Sequence, residues 1–282
     1  MSFFEQLAFT FQALFRSLAT LARPSSWLPW LPLLLVRGLL IACAWNFAHP
    51  ALSWLMAPWI ARLSGESVLH YPTLFVALPG WYARSDIAVQ VLIGPLTIGA
   101  AVAVFGELFR GHPVAPGRAL GQAAARYPAL LLAQLPFHAL IVLLTLGVMP
   151  WLGEHKHGLV ARLLVRAGVL GGSALAETLL FFVAALLVLG RRSLVDTFAA
   201  LPGALLRGFT AALVLGAVPV VTRLGLQALE SHADVIATRG RPELVGALTC
   251  ADAGLSVLAW YLLAGAATMV YLGAMHRAWE HE

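Results

Sequence analysis

Residues 168–189 read GVLGGSALAETLLFFVAALLVL. Across these positions the only ionisable side chain is Glu177, and apolar residues point in every direction around a helical wheel. A helix apolar on all sides has no face for water, and this one has the length of about 20 residues that crosses a hydrocarbon core roughly 30 Å thick. The stretch therefore predicts a transmembrane helix. Working outward, comparable segments recur at 27–47, 87–108, 127–150, 209–229 and 251–275, giving six spans. The chain of 282 residues is 60% hydrophobic and 11% charged, too little polar surface to cover a soluble domain of this size. The expectation is an all-α polytopic membrane helical bundle, one integral membrane domain over 1–282.

The charge pattern narrows the class further. The net charge of +5 is carried almost wholly by arginine, with Lys156 the only lysine, and the arginines are scattered between apolar runs. Nucleic-acid binding needs a basic stripe, so no nucleic-acid partner is expected. Arginine in place of lysine, with heavy use of Ala and Leu, suggests a GC-rich bacterial genome and hence the bacterial inner membrane. The sequence contains no His-Glu-x-x-His, Cys-x-x-Cys, Gly-x-Ser-x-Gly or Gly-x-x-x-x-Gly-Lys. No catalytic, cofactor or metal residues are assigned, and a non-enzymatic role is favoured. His155 and His157 form a His-x-His pair that reads as an exposed loop, and Cys43 and Cys250 read as free buried thiols. The N-terminus lacks the charged start and small-residue cleavage site of a signal peptide.

Within the first 23 residues Phe4, Leu7, Phe11, Leu14, Leu18 and Leu21 fall at helical spacing, which predicts an amphipathic interfacial helix over 1–23. Trp27 and Trp30 then open the first span, where indole rings favour the headgroup level. The connection from His49 to Asp86 holds a second interfacial pattern, Leu52, Leu55, Met56, Trp59, Ile60 and Leu63, bent near Pro58. The Pro- and aromatic-rich stretch His70–Tyr82 reads as irregular chain packed on the membrane surface. With the N-terminus inside, nine basic residues fall on the inner side and eight on the outer, where seven acids nearly balance them. Basic count sets orientation, so both termini are placed in the cytoplasm.

Two basic connectors look alike. Arg110-Gly111-His112-Pro113 leads through Ala119-Leu120 to Arg126, and Arg191-Arg192-Ser193 leads through Ala200-Leu201 to Arg207, about 81 residues later. Ser193 with Asp196 reads as a capping box opening a short helix. With the N-terminal helix, this gives a threefold plan in which an inner interfacial helix precedes each membrane hairpin. That plan, and the connector GRRSLVDTFAALPGALLRGFTAALVLG over 190–216, resembles a loose grouping of bacterial six-helix membrane proteins of unknown function. The membrane domain fused to some glycerophosphodiester phosphodiesterases belongs to the same grouping. The similarity covers roughly Phe105 to the C-terminus, and the long first outer connection departs from it. The resemblance implies an accessory or scaffold-like membrane domain, since in those fusions the hydrolase is a separate soluble domain.

Ionisable groups at mid-depth in a bilayer cost about 3 kcal/mol each on insertion scales and mark candidate sites. Arg37, His138 and Glu177 fall near the middle of their spans. Arg37 and Glu177 are the one opposite-charge pair at matching height, so they are expected to meet, with Gln134, His138 or Asn46 joining a polar network. Two roles stay open for Arg37, Gln134, His138 and Glu177: fixing helix order, or coupling a proton or solute. Arg223 and Asp252, near span ends, read as interfacial, as does Glu107 beside Arg110. The expected function is a scaffold or accessory subunit, with a small-solute or lipid transporter as the alternative. Expected partners are membrane lipids, with another membrane protein or a second copy of the chain as further choices.

Overall fold

The computed structural model describes residues 3–45, 49–148 and 159–279, and among these the chain is helical with no strand. Among the described residues, five helices are long and apolar enough to cross a membrane: Pro24–Trp45, Tyr127–Val148, Ala167–Val188, Phe209–Glu230 and Glu243–Ala274. A sixth candidate is the pair Thr73–Leu92 and Gly94–Phe109, bent by 58° at a short break. The continuous helix expected over 87–108 is thus interrupted at Ile93. Pro95 explains the break, because it has no N–H to give to the carbonyl one turn back and is tolerated only in a helix's first turn.

The segment expected to be irregular between His70 and Tyr82 is instead helical from Thr73 onward. Pro72 precedes the helix and Pro79 lies inside it. Burial outweighs the lost hydrogen bond. Phe75, Leu78, Trp81, Tyr82, Asp86 and Val89 are buried at intervals of three and four, one continuous stripe that runs through the proline. The apolar pattern from Leu52 to Leu63 does form a helix, Pro50–Ser64, with Trp54 and Trp59 exposed and Ile60 buried.

The chain divides into two compact units, one of 1–31, 91–220 and 259–282, the other of 32–90 and 221–258. In the first, Gly94–Phe109 is buried on almost every side, and its Ala, Val and Gly residues let Pro116–Ala125, Tyr127–Val142 and Leu159–Val188 approach closely. The N-terminal helix Phe3–Ala19 runs antiparallel to the last helix, with Phe9 against Gly273 and Ser17 against Gly265. It turns its small residues Thr10, Ala13 and Ser17 inward and leaves Phe4, Phe11, Phe15 and Leu18 exposed. Gly265 is required for this approach, since a Cβ there would fall on Ser17 Oγ.

After the Phe3–Ala19 helix the chain is held by Tyr261. Its hydroxyl lies 2.8 Å from Thr20 Oγ1 and 2.7 Å from Ser26 Oγ. Its ring stacks on Trp27 at 4.6 Å and takes the edge of Phe105 at 5.1 Å. Trp30 is fully buried beside it. The connector reading holds locally: Ser193 Oγ accepts from the Asp196 amide at 3.2 Å and donates to its carboxylate at 2.6 Å, opening the helix Leu194–Arg207.

The second unit packs Leu31–Trp45, Pro50–Ser64, Thr73–Leu92, Ala233–Arg239 and the start of Glu243–Trp279 around a core that includes Ile41, Ile60, Leu78, Trp81 and Val245. Gly246 admits the Trp45 ring: a Cβ there would lie 2.7 Å from Trp45 Cζ3.

Candidate functional site

On Leu31–Trp45 the buried positions are Leu33, Arg37, Ile41 and Ala44, so helical period alone sends Arg37 into the second unit's interior. Asp86 arrives on the buried stripe of Thr73–Leu92. Arg37 Nε donates to Asp86 Oδ1 at 2.6 Å and Nη2 to Oδ2 at 2.7 Å, a two-bond fork. The side chains are 2% and 8% exposed. Gln90 Nε2, one turn on, donates to Asp86 Oδ2 at 2.7 Å, and Arg37 Nη1 donates to Ser256 Oγ at 3.3 Å. A buried ion pair needs this kind of saturation, because desolvation of each charge costs several kcal/mol and only good geometry with further hydrogen bonds offsets it.

A second fork lies in the same unit. Arg223 Nε donates to Asp252 Oδ1 at 2.9 Å and Nη2 to Oδ2 at 2.6 Å. Asp252 and Ser256 are one turn apart on the last helix, so a single helical face receives both arginines. The buried Tyr82, one turn before Asp86, lies within electrostatic range of all four charged groups. Its hydroxyl has no hydrogen-bond partner among the described residues. Arg223 and Asp252, read from sequence as interfacial residues near span ends, are thus paired with each other: Asp252 is buried, and Arg223 is largely covered.

Of the four residues singled out from sequence, Arg37 lies in the second unit and Gln134, His138 and Glu177 lie in the first. The carboxylate in the Arg37 fork is Asp86, which sequence places at the end of an outer connection and the structure places on a helix. Gln134 and His138 are one turn apart on the buried face of Tyr127–Val142. His138 Nδ1 lies 3.0 Å from the Gln134 carbonyl, and since a carbonyl only accepts, Nδ1 carries the proton. The Gln134 amide is fully buried, with neither its nitrogen nor its oxygen partnered among the described residues. Glu177 is half-buried on Leu159–Val188. Asn46 and the His155-x-His157 pair lie outside the described residues. Glu107 Oε2 accepts from the Ala115 amide at 3.1 Å and so ties off its own connector.

Asp86 was legible in principle. Continuing the three-four spacing of Phe75, Leu78 and Tyr82 through Pro79 reaches Asp86 on the same face. Treating Pro79-Gly80 as a breaker hides it.

Among the described residues no group of three or more His, Cys, Asp or Glu is placed to hold a metal ion. Cys43 and Cys250 are both free thiols, half-buried and exposed respectively. Beside the Arg37 fork a groove of about 480 Å³ opens between Leu31–Trp45 and the start of the last helix, lined by Arg37, Gly38, Ala42, Trp45, Cys250 and Gly254 among others.

No protein family, curated protein or solved structure matches this chain.

Proposed function

We propose that this is a multi-pass protein of the bacterial inner membrane, both termini in the cytoplasm, serving as a non-enzymatic scaffold or accessory subunit among lipids and membrane partners. One observation carries the reading: Arg37 and Arg223 each spend two donors on a carboxylate of a neighbouring helix. Charges committed in forks fix helix order and register, a use for which buried ionic groups are attested. A coupling site would instead aim them at a water-filled path. The resemblance of the 190–216 connector to six-helix bacterial membrane domains of accessory type points the same way.

A transporter is the second reading, and it is favoured by the groove that reaches Arg37. Proteoliposomes under an imposed pH gradient separate the two. A scaffold shows proton flux no greater than protein-free liposomes, and with Cys43 and Cys250 replaced by serine a cysteine placed at the buried Ser256 beside Arg37 resists a membrane-impermeant thiol reagent. Proton flux above that of protein-free liposomes, or ready labelling at position 256 of the folded protein, would overturn the scaffold reading.

A further inference from the structure

At one end of the first unit, helix ends bring arginines to a single place. Arg110 follows the helix Gly94–Phe109, and Gly190-Arg191-Arg192 follow Leu159–Val188. Two close approaches fix the level: a Cβ at Gly106 would lie 2.5 Å from Leu189 Cδ2, and one at Gly190 would lie 2.6 Å from the Tyr271 hydroxyl. The apolar stretches Ala167–Val188 and Gly94–Phe109 both end here, and Tyr127–Val148 begins here. The cluster therefore stands at the headgroup level, where a guanidinium costs little, and not in the hydrocarbon.

The arginines of this end differ in what they do. Arg126 Nη1 donates to the Leu187 carbonyl and so serves the end of its neighbour helix. Arg110, Arg191 and Arg192 are exposed, and among the described residues their side chains make no hydrogen bond or ion pair. The carboxylates nearest in sequence are engaged locally, Glu107 by the Ala115 amide and Asp196 by the Ser193 hydroxyl. Tyr271 senses the result: its buried hydroxyl has no partner among the described residues, and the charges that act on it are Arg192 and Arg110. Tyr82 in the other unit, by contrast, sits among charges of both signs. Arg191 holds a φ of 50°, a region that favours glycine, so an arginine stands at this turn against backbone preference. Three guanidiniums without a counter-charge complement a phosphate. A zwitterionic headgroup, which brings its own cation beside the phosphate, suits them less well. The neighbours point to a lipid as its carrier. Val195 and Phe198 are exposed on Leu194–Arg207, and Phe4 and Phe11 on the N-terminal helix, which reaches this end through Phe9 against Gly273. Such side chains at headgroup depth are covered by acyl chains.

We propose that Arg110, Arg191 and Arg192 bind the phosphate of an anionic phospholipid. This rests on the reading of these helices as lipid-embedded and names the lipid partner by its headgroup. It holds for a scaffold and for a transporter alike.

The test uses the full chain in detergent micelles, incubated with equal amounts of phosphatidylglycerol and phosphatidylcholine of matched acyl chains, with the retained lipid read by native mass spectrometry. Phosphatidylglycerol is expected to be retained in clear preference. Arg110→Gln and Arg192→Gln change exposed side chains and should keep the fold, yet each should cut that retention about five-fold, the worth of one basic residue at a headgroup surface. Arg239→Gln with Arg241→Gln, exposed in the other unit, removes as much charge as the two together and should leave retention unchanged. An equal fall in that control pair would mean bulk charge and no site, and overturns the proposal. Equal retention of the two lipids also overturns it, while leaving the membrane-embedded reading intact. A chain that stays monodisperse in buffer without detergent sinks both. Binding of inorganic phosphate that Arg192→Gln abolishes, with no preference between the lipids, assigns the cluster to a free anion and overturns the lipid. A preference that emerges only after Glu280→Gln with Glu282→Gln means that the chain's own carboxylates answer the arginines, and overturns it as well.

Discussion

The two units solve one problem with different chemistry. In 32–90 and 221–258, helices are joined by forked ion pairs, Arg37 with Asp86 and Arg223 with Asp252. In the other unit the N-terminal segment is joined to the last helix by shape and neutral contacts: Ser17 against Gly265, Phe9 against Gly273, and the Tyr261 ring and hydroxyl. In lipid there is no hydrophobic drive between helices, so close packing and interhelical polar bonds carry association. Charge concentrates that burden on a few atoms and makes it all-or-none. Small residues and hydroxyls spread it out, and each contact can be lost at modest cost.

The largest effect should therefore come from splitting a fork. Asp86→Ala takes the forked carboxylate from the buried Arg37 guanidinium, which is expected to destabilise the protein by about 3–5 kcal/mol. Replacing both partners, Arg37→Met with Asp86→Leu, removes charge and counter-charge together and should recover most of that loss. Unfolding in detergent micelles, followed by size-exclusion and by thermal melting, measures both. If the double variant were as unstable as Asp86→Ala, the loss would come from packing or from a functional charge, and the contrast between the units would fail.

How far sequence carries this depends on what kind of signal a residue leaves. Apolar length is one-dimensional, and near 127–150, 168–189 and 209–229 the structure has helices long and apolar enough to cross a membrane, Tyr127–Val148, Ala167–Val188 and Phe209–Glu230. The Ser193 cap is local and equally readable. Partner choice is different. Arg37 is visibly out of place in an apolar run, but whether Asp86 or Glu177 answers it depends on how helices distant in sequence are arranged, and on Thr73–Leu92 surviving Pro79. Arg223 and Asp252 read only as residues near span ends for the same reason: position along a helix is legible, but the neighbour across from it is not.

The neutral unit should respond to volume before polarity. Gly265→Val drives a branched side chain into Ser17 and Phe105 and should cost about 1–3 kcal/mol, the usual range for overpacking. Gly265→Ala with Ser17→Gly should cost less than Gly265→Ala alone, because the second change vacates the atoms that the first one meets. Thermal melting of the four variants reads the coupling. Additive effects would mean that the two helices do not touch there and would remove close approach as the basis of this unit's cohesion.

The smallest effect is expected at the hydroxyl that appears most connected. Tyr261 OH touches both Thr20 and Ser26, but each of those has its own carbonyl, Ser17 O at 2.6 Å and Arg23 O at 2.6 Å respectively. If both hydroxyl protons go to those carbonyls, the single Tyr261 proton can serve only one of the two oxygens. Tyr261→Phe then strands no buried donor and should cost only about 0.5–1.5 kcal/mol, the net worth of one hydrogen bond. The ring contacts with Trp27 and Phe105 survive the change. Tyr261→Ala, which removes them, should cost about 3–5 kcal/mol. A Phe variant as damaging as Asp86→Ala would show that the Tyr261 hydroxyl, like the charged forks, holds its helices through a single irreplaceable atom.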